Sequence, residues 1–344
     1  MKKYIPFILV TLMVIFCLSG CFSSMNKQSN ESGKFHIVTT IFPAYDWVRE
    51  ILGDAAGNTE LTMVIDNGVD LHSYQPTADD IVKISNCDMF IYVGGESDRW
   101  VEDALKNAVN GDIVIINLME LLGDSVKEEE IIEGMQETEH EHDGSEHEHG
   151  HEGESEHGHE DEHEHSHLDE HVWLSLKNAK FLCREIANRL CEMDSGNKDK
   201  YLANLSVYID KLSELDAKYQ EVVDNSANKT LLFGDRFPFR YLVDDYNLGY
   251  YATFSGCSAE TEASFETITF LSGKVDELGL TCVLKIDGTK HKIAETIISN
   301  TEDKNQQVLV MNSMQSITSN DRESGVTYLS VMEKNLEVLK EALK

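Results

Sequence analysis

From residue 35 onward the chain alternates short β-branched runs with amphipathic stretches of helical period. Strands are predicted at 36–40, 60–65, 88–93 and 112–117. Between them fall helices at 45–52, following Pro43, at 79–85, with Thr77 placed as its cap, and at 100–108. Four strand-helix units in a row pack most simply as a parallel sheet with helices on both faces.

The pattern then breaks between 119 and 167, where large apolar residues become scarce after Met135, so the expectation is a disordered loop inserted in the first lobe at 120–167. Helical period resumes at 175–193 and continues in a longer helix from 198 to about 225, with Tyr201, Leu205, Tyr208, Leu212, Leu215 and Tyr219 at three-and-four spacing. At 1.5 Å per residue this second helix is roughly 40 Å long, enough to cross from one domain to another. A second series follows, with strands at 230–234, 249–254, 280–286 and 307–311 and helices at 237–246, 264–278, 293–299 and 326–343. The expected fold is α/β: two Rossmann-like parallel-sheet lobes, 34–196 and 227–344, joined by a long rigid connecting helix at 197–226. Ligands of such sheets bind beyond the carboxyl ends of the strands, which places a site in the cleft between the lobes.

Composition adds location and charge. With 344 residues, 41% of them hydrophobic, the chain can build two ordinary cores. Its formal charge of −33 repels nucleic acid and attracts cations. The N-terminus carries Lys2 and Lys3, an apolar run, and then Leu18-Ser19-Gly20-Cys21, which resembles a lipobox. That resemblance implies a signal peptide over 1–20, a lipid on Cys21 at the extracytoplasmic face of the cell membrane, and a flexible tether at 21–33. Five other cysteines lie in the body, Cys87, Cys183, Cys191, Cys257 and Cys282. Cys183 and Cys191, eight apart on a helix, stand about 12 Å apart and cannot bridge. Only Cys257 with Cys282 remains to be considered as a pair.

Candidate chemistry centres on histidine. Ten of the 14 histidines fall between 140 and 167, interleaved with acids and small residues. Imidazole mixed with carboxylate suits borderline divalent ions, zinc above all. Segments such as His147-Glu148-His149-Gly150-His151 match H-E-x-x-H by letter. That motif works only on a fixed helix, and no apolar face holds one here. A zinc enzyme is therefore the weaker reading, and the tract reads as a weak, multi-site zinc collector beside the cleft or a purely solvating loop.

Three ordered motifs carry a resemblance. They are the loop 67–77 around His72, Asp169-Glu170-His171-Val172-Trp173-Leu174, and the C-terminal segment 325–336, with support from Tyr201, Asn204 and Tyr208. Together, in this order, they resemble the metal-binding solute receptors of bacterial ABC importers for zinc or manganese. The resemblance implies His72 and His171 as ligands, Zn(II) as transported ligand with Mn(II) as the alternative, no catalysis, an ABC permease and its ATPase as partners, and a monomer. A surface adhesin of the same fold is a further alternative. Arg236 and Gln315 stand where the family usually places its remaining ligands. A guanidinium cannot bind zinc. Asp235 is the expected third ligand and Glu260 the next, unless Asp235 pairs with Arg236 and Glu260 caps its helix. Cys257 is either a thiolate ligand or a small packing residue. Trp47, Trp100 and Trp173 read as packing residues, and His36 and His291 as structural. Binding that needs neutral imidazole is expected to weaken below about pH 6.5.

Overall fold

A computed structural model describes residues 34–106, 108–136, 167–258, 262–290 and 292–344. The expectations for the signal peptide, Cys21, the tether, the tract over 137–166, Glu260 and His291 lie outside these residues.

Among the described residues, eight strands form two four-stranded sheets. The first holds β1 (Phe35–Thr39), β2 (Thr59–Met63), β3 (Met89–Tyr92) and β4 (Val114–Asn117) in the order β2-β1-β3-β4. The second holds β5 (Thr230–Phe237), β6 (Gly249–Ser255), β7 (Cys282–Ile286) and β8 (Gln307–Met311) in the order β6-β5-β7-β8. The pairings of β1 with β3, β3 with β4, β5 with β6 and β7, and β7 with β8 are parallel. Both sheets therefore reverse strand order beside their first strand, the switch point at which open α/β sheets leave a crevice. Central strands are apolar on both faces, as a sheet covered by helices on both sides requires: Met89, Phe90 and Ile91 are fully buried, as are Val283 and Leu284.

The helix Lys198–Asn225 joins the lobes along its whole length. Near its start Asn204 Nδ2 donates to Ile51 O at 3.0 Å in the first lobe. Further on, Tyr219 stacks on Tyr246 of the second lobe with centroids 5.3 Å apart, and its hydroxyl donates to Met332 O at 2.7 Å. Tyr201, Tyr208, Leu212, Leu215, Tyr219 and Val223 form its buried stripe. Residues His36–Lys344 consequently make one compact unit with one continuous apolar cluster running from the first sheet, past this helix, to the second.

Serine and threonine caps set the helix starts. Thr77 closes a capping box on Ala78–Asn86, Ser175 caps Leu176–Met193, Ser264 caps Phe265–Leu278, and Thr327 caps Tyr328–Ala342. The last of these helices returns to the first lobe, where Tyr328 packs edge-on to fully buried Trp47 at 5.3 Å.

Two local differences from the sequence reading bear on the site. First, order does not stop near residue 120. Leu118–Leu122 is a helix, and 126–136 is a strap across the lobes, anchored by Met135, which is buried, and by partly buried Val126 and Ile132. On this strap Lys127 N donates to the Tyr241 hydroxyl at 3.0 Å, Glu130 meets Arg240 at 2.7 Å, and Gln136 N donates to Thr253 O at 2.9 Å. Second, β5 runs through Phe237, with a register irregularity between Phe233 and Arg236, and the helix after it starts only at Arg240. Asp235 and Arg236 are thus strand residues facing opposite ways.

Candidate metal centre

Both motif histidines are set by the same local device. Asp70 caps the tight turn Leu71–Ser73, and its Oδ1 accepts from His72 N at 3.0 Å. Asp169 does the same two residues ahead of His171, accepting from His171 N at 2.8 Å. A short acid bonding the backbone two residues on is an Asx turn, and it aims the following side chain.

The two rings meet from these separate loops. Nε2 of His72 lies 3.2 Å from Nε2 of His171. His171 is fully buried, and its Nδ1 faces Asp169 Oδ1 at 2.9 Å. His72 Nδ1 meets Ser97 Oγ at 2.8 Å and Glu170 Oε2 at 3.5 Å. The Asp169 carboxylate accepts at His171 Nδ1, which leaves the His171 Nε2 its lone pair, while His72 Nδ1 bonds the Ser97 hydroxyl, a group that can donate or accept. With His72 in the same tautomer, the two Nε2 lone pairs would repel unless a cation lay between them. Two nitrogens on a tetrahedral zinc, each about 2.05 Å from the ion, stand about 3.3 Å apart, close to what is found.

Cys257, in the turn after β6, brings its thiol to the same point: its Sγ and the two imidazole nitrogens all lie within 4.8 Å of one another. The turn is pinned from the first lobe, since Cys257 N donates to Glu129 Oε1 at 2.8 Å. Gly256 allows the approach. A Cβ there would stand 2.9 Å from Phe237 O and 3.0 Å from the His171 ring.

Asp235, the expected third ligand, stands outside this group. Its Oδ1 accepts from Arg236 N at 2.9 Å, and its Oδ2 from Ile286 N at 3.2 Å and from the Thr289 hydroxyl, which fixes it beneath the sheet. Arg236 points the other way, to Asp70 Oδ2 at 2.6 Å, and Gln315 Nε2 donates to Asp70 Oδ1 at 3.3 Å. Arg236 and Gln315 thus both grip the acid that orients His72. Cys257 and Cys282 are both free thiols.

Ser97, Asp169 and Glu170 were not singled out by sequence reasoning as orienting residues. The D-x-H spacing shared by Asp70-Leu71-His72 and Asp169-Glu170-His171 is the signal that finds the aspartates. Ser97, in the loop after β3, has none.

Electrostatics favour neutral imidazole and guard it. Burial first, then the neighbouring His171, push His72 down to about 3. Burial raises Glu170 against the hydrogen bonds it accepts from Ser97. It also holds the uncomplexed Cys257 thiol well above its ordinary value, with Glu129 and Asp169 adding to the effect. For Asp70 burial pushes upward, but Arg236 and His72 outweigh it and leave the carboxyl below the usual range.

Comparison with known proteins agrees with this geometry. A family model described as zinc-uptake complex component A, periplasmic, matches residues 37–342. The zinc-binding lipoprotein AdcA of Streptococcus pneumoniae (strain ATCC BAA-255 / R6) is 31% identical over 341 residues, covering 99% of this chain and 61% of that protein. The chain thus spans less than two thirds of that relative's length. The high-affinity zinc uptake system protein ZnuA of Bacillus subtilis (strain 168) is 28% identical over 337 residues, covering 98% of this chain and 96% of that one. Among solved structures, the Zn(II)-bound ZnuA-like domain of Streptococcus pneumoniae AdcA shares 26% identity and a TM-score of 0.66, covering 90% of this chain and 99% of that one. With paired histidines at the mouth of two parallel sheets and a family match over nearly the whole body, this chain belongs to the zinc-uptake component A family.

Proposed function

We propose that the chain is an extracytoplasmic zinc receptor that captures Zn(II) between its lobes and hands it to an ABC permease driven by an ATPase. The observation that carries this reading is the convergence of the His72 and His171 Nε2 atoms at 3.2 Å, with each Nδ1 held by an orienting group. Metal-binding imidazoles are commonly oriented in this way, here one ring by a carboxylate and the other by a hydroxyl. Relatives named as zinc-binding lipoprotein and zinc uptake protein support it.

The role is capture and release rather than catalysis. Zinc is the cargo favoured over manganese, because imidazole nitrogens suit it and manganese prefers oxygen. Attachment through lipid on Cys21 fits the lipoprotein relative, and no helix among the described residues is long and apolar enough to cross a membrane.

Calorimetric titration of the full chain with Zn(II) tests the reading. One site much tighter than all others is expected, lost in His72→Ala and in His171→Ala. If both variants retain that site, the pair is not the receptor centre.

A further inference from the structure

The histidine pair supplies two ligands, and zinc takes about four. Among the described residues, no acid joins the two histidines at ligand distance. Asp70 is held by Arg236 and Gln315, Asp169 by His171, Glu129 by the Cys257 amide, and Asp235 by the backbone of β7 and by Thr289; Glu170 accepts from Ser97 through Oε1, and its buried Oε2, without a hydrogen-bond partner, lies 3.5 Å from the Nδ1 of His72. Among the described residues, the group able to hold an ion is His72, His171 and Cys257. Resting on the capture reading above, we propose that Cys257 is the third ligand, a thiolate from the second lobe that closes a two-histidine, one-cysteine site and sets its preference for thiophilic ions.

Three observations carry this. The Sγ and one nitrogen of each imidazole lie within 4.8 Å of one another, and they come from both lobes. The turn that presents Cys257 is tied to the first lobe by the hydrogen bond from Cys257 N to Glu129 Oε1. Gly256 lets that turn lie against His171, where any larger residue would strike the ring. Zinc–sulfur and zinc–nitrogen bonds of about 2.3 and 2.05 Å put N and S about 3.5 Å apart, so the group need contract by only about 1 Å.

The binding step breaks the Cys257 S–H bond and forms a metal–sulfur bond. The sulfur keeps the electron pair, the proton leaves to water, and no electron is transferred. A thiolate favours zinc, cobalt and cadmium over manganese, whose preference is for oxygen. The sulfur therefore supplies discrimination that two imidazoles give only in part.

Cobalt(II) added to the purified, reduced full-length protein is the probe. A thiolate-to-cobalt charge-transfer band in the near ultraviolet is expected together with visible d–d bands. Cys257→Ser should lose the near-ultraviolet band, keep weaker visible bands from the histidines, and bind zinc about a hundredfold less tightly. Its manganese affinity should change little, and Cys257→Asp should gain manganese relative to zinc. Because Cys87, Cys183, Cys191 and Cys282 remain in these variants, loss of the band assigns it to Cys257. Tight cobalt binding by the unaltered protein without the band overturns the thiolate and leaves the capture reading standing. Absence of any tight binding overturns the capture reading itself. The unaltered protein's spectrum decides the point even if a variant fails to fold.

Discussion

Arg236 reaches across the cleft from β5 to close a 2.6 Å ion pair with Asp70, the acid that caps the His72 turn. A fixed positive charge at this point links the lobes through the acid that orients His72. The pair is mostly shielded from solvent, with side-chain exposures of 17% and 24%. Removing the guanidinium leaves Asp70 poorly compensated. Arg236→Ala is expected to cost about 1.5–3 kcal/mol in denaturant unfolding of the metal-free protein and to enlarge it in small-angle scattering. Unchanged stability and unchanged dimensions would show that the clasp does not hold the lobes.

Asp169 holds both the backbone N–H and the Nδ1–H of His171. Replacing it by asparagine keeps an acceptor but removes the charge that strengthens the imidazole as a donor to metal. Asp169→Asn should weaken zinc binding by about 10- to 100-fold while leaving one site per chain. Competition against a chelator of known affinity measures this, and an affinity equal to the parent's would exclude the orienting role.

These relationships differ in how readable they are from sequence. The α/β architecture follows from strand and helix periods, which is why the helix Lys198–Asn225 matches its apolar stripe closely. That His72 and His171 belong together is legible because each lies in a multi-residue motif, and their rings meet. Asp235 misleads because strand ends are poorly marked: β5 continues to Phe237, and alternation along it turns Asp235 away and Arg236 inward. Cys257 carries no spacing signal, so only the fold reveals its nearness to the histidines. The strap over 126–136 escapes notice because a few scattered apolar residues and its polar bonds to the second lobe hold it, not a periodic face.

Asp98 gives the metal-free protein a readable pH dependence. Its Oδ2 accepts from Val93 N at 2.9 Å and Gly94 N at 3.0 Å, and its Oδ1 is buried without a hydrogen-bond partner. Burial pushes this carboxyl up to about 7 from 3.8, with Glu170 adding to the rise. The folded state therefore binds the proton more tightly than the unfolded one. The contribution to stability is present in full below about 3.8 and lost as pH rises through about 7, with a slope of at most about 1.4 kcal/mol per pH unit. Asp98→Asn, which fills the same space without charge, should remove this slope and be more stable than the parent at pH 8. Parallel stability curves for the two proteins from pH 4 to 8 would count against it.

Gly256 is where backbone packing and ligand position become one question. A methyl group there would sit 2.9 Å from Phe237 O, 3.0 Å from His171 Cε1 and 3.1 Å from His171 Nδ1. The carbonyl belongs to β5 and cannot retreat without disturbing the sheet, so the turn or the ring must give. His171 is itself clamped between Asp169 and Trp173, whose indole donates to Ser313 O at 2.9 Å. Less held is the turn bearing Cys257, and its outward shift carries the thiol away from both imidazoles. Gly256→Ala should therefore weaken zinc binding by more than about tenfold, with overpacking costing about 1–3 kcal/mol of stability. Combined with Cys257→Ser, the glycine change should add little further loss in affinity, because both act through the same ligand. Fully additive losses in that double-variant cycle would place the effect on His171 instead.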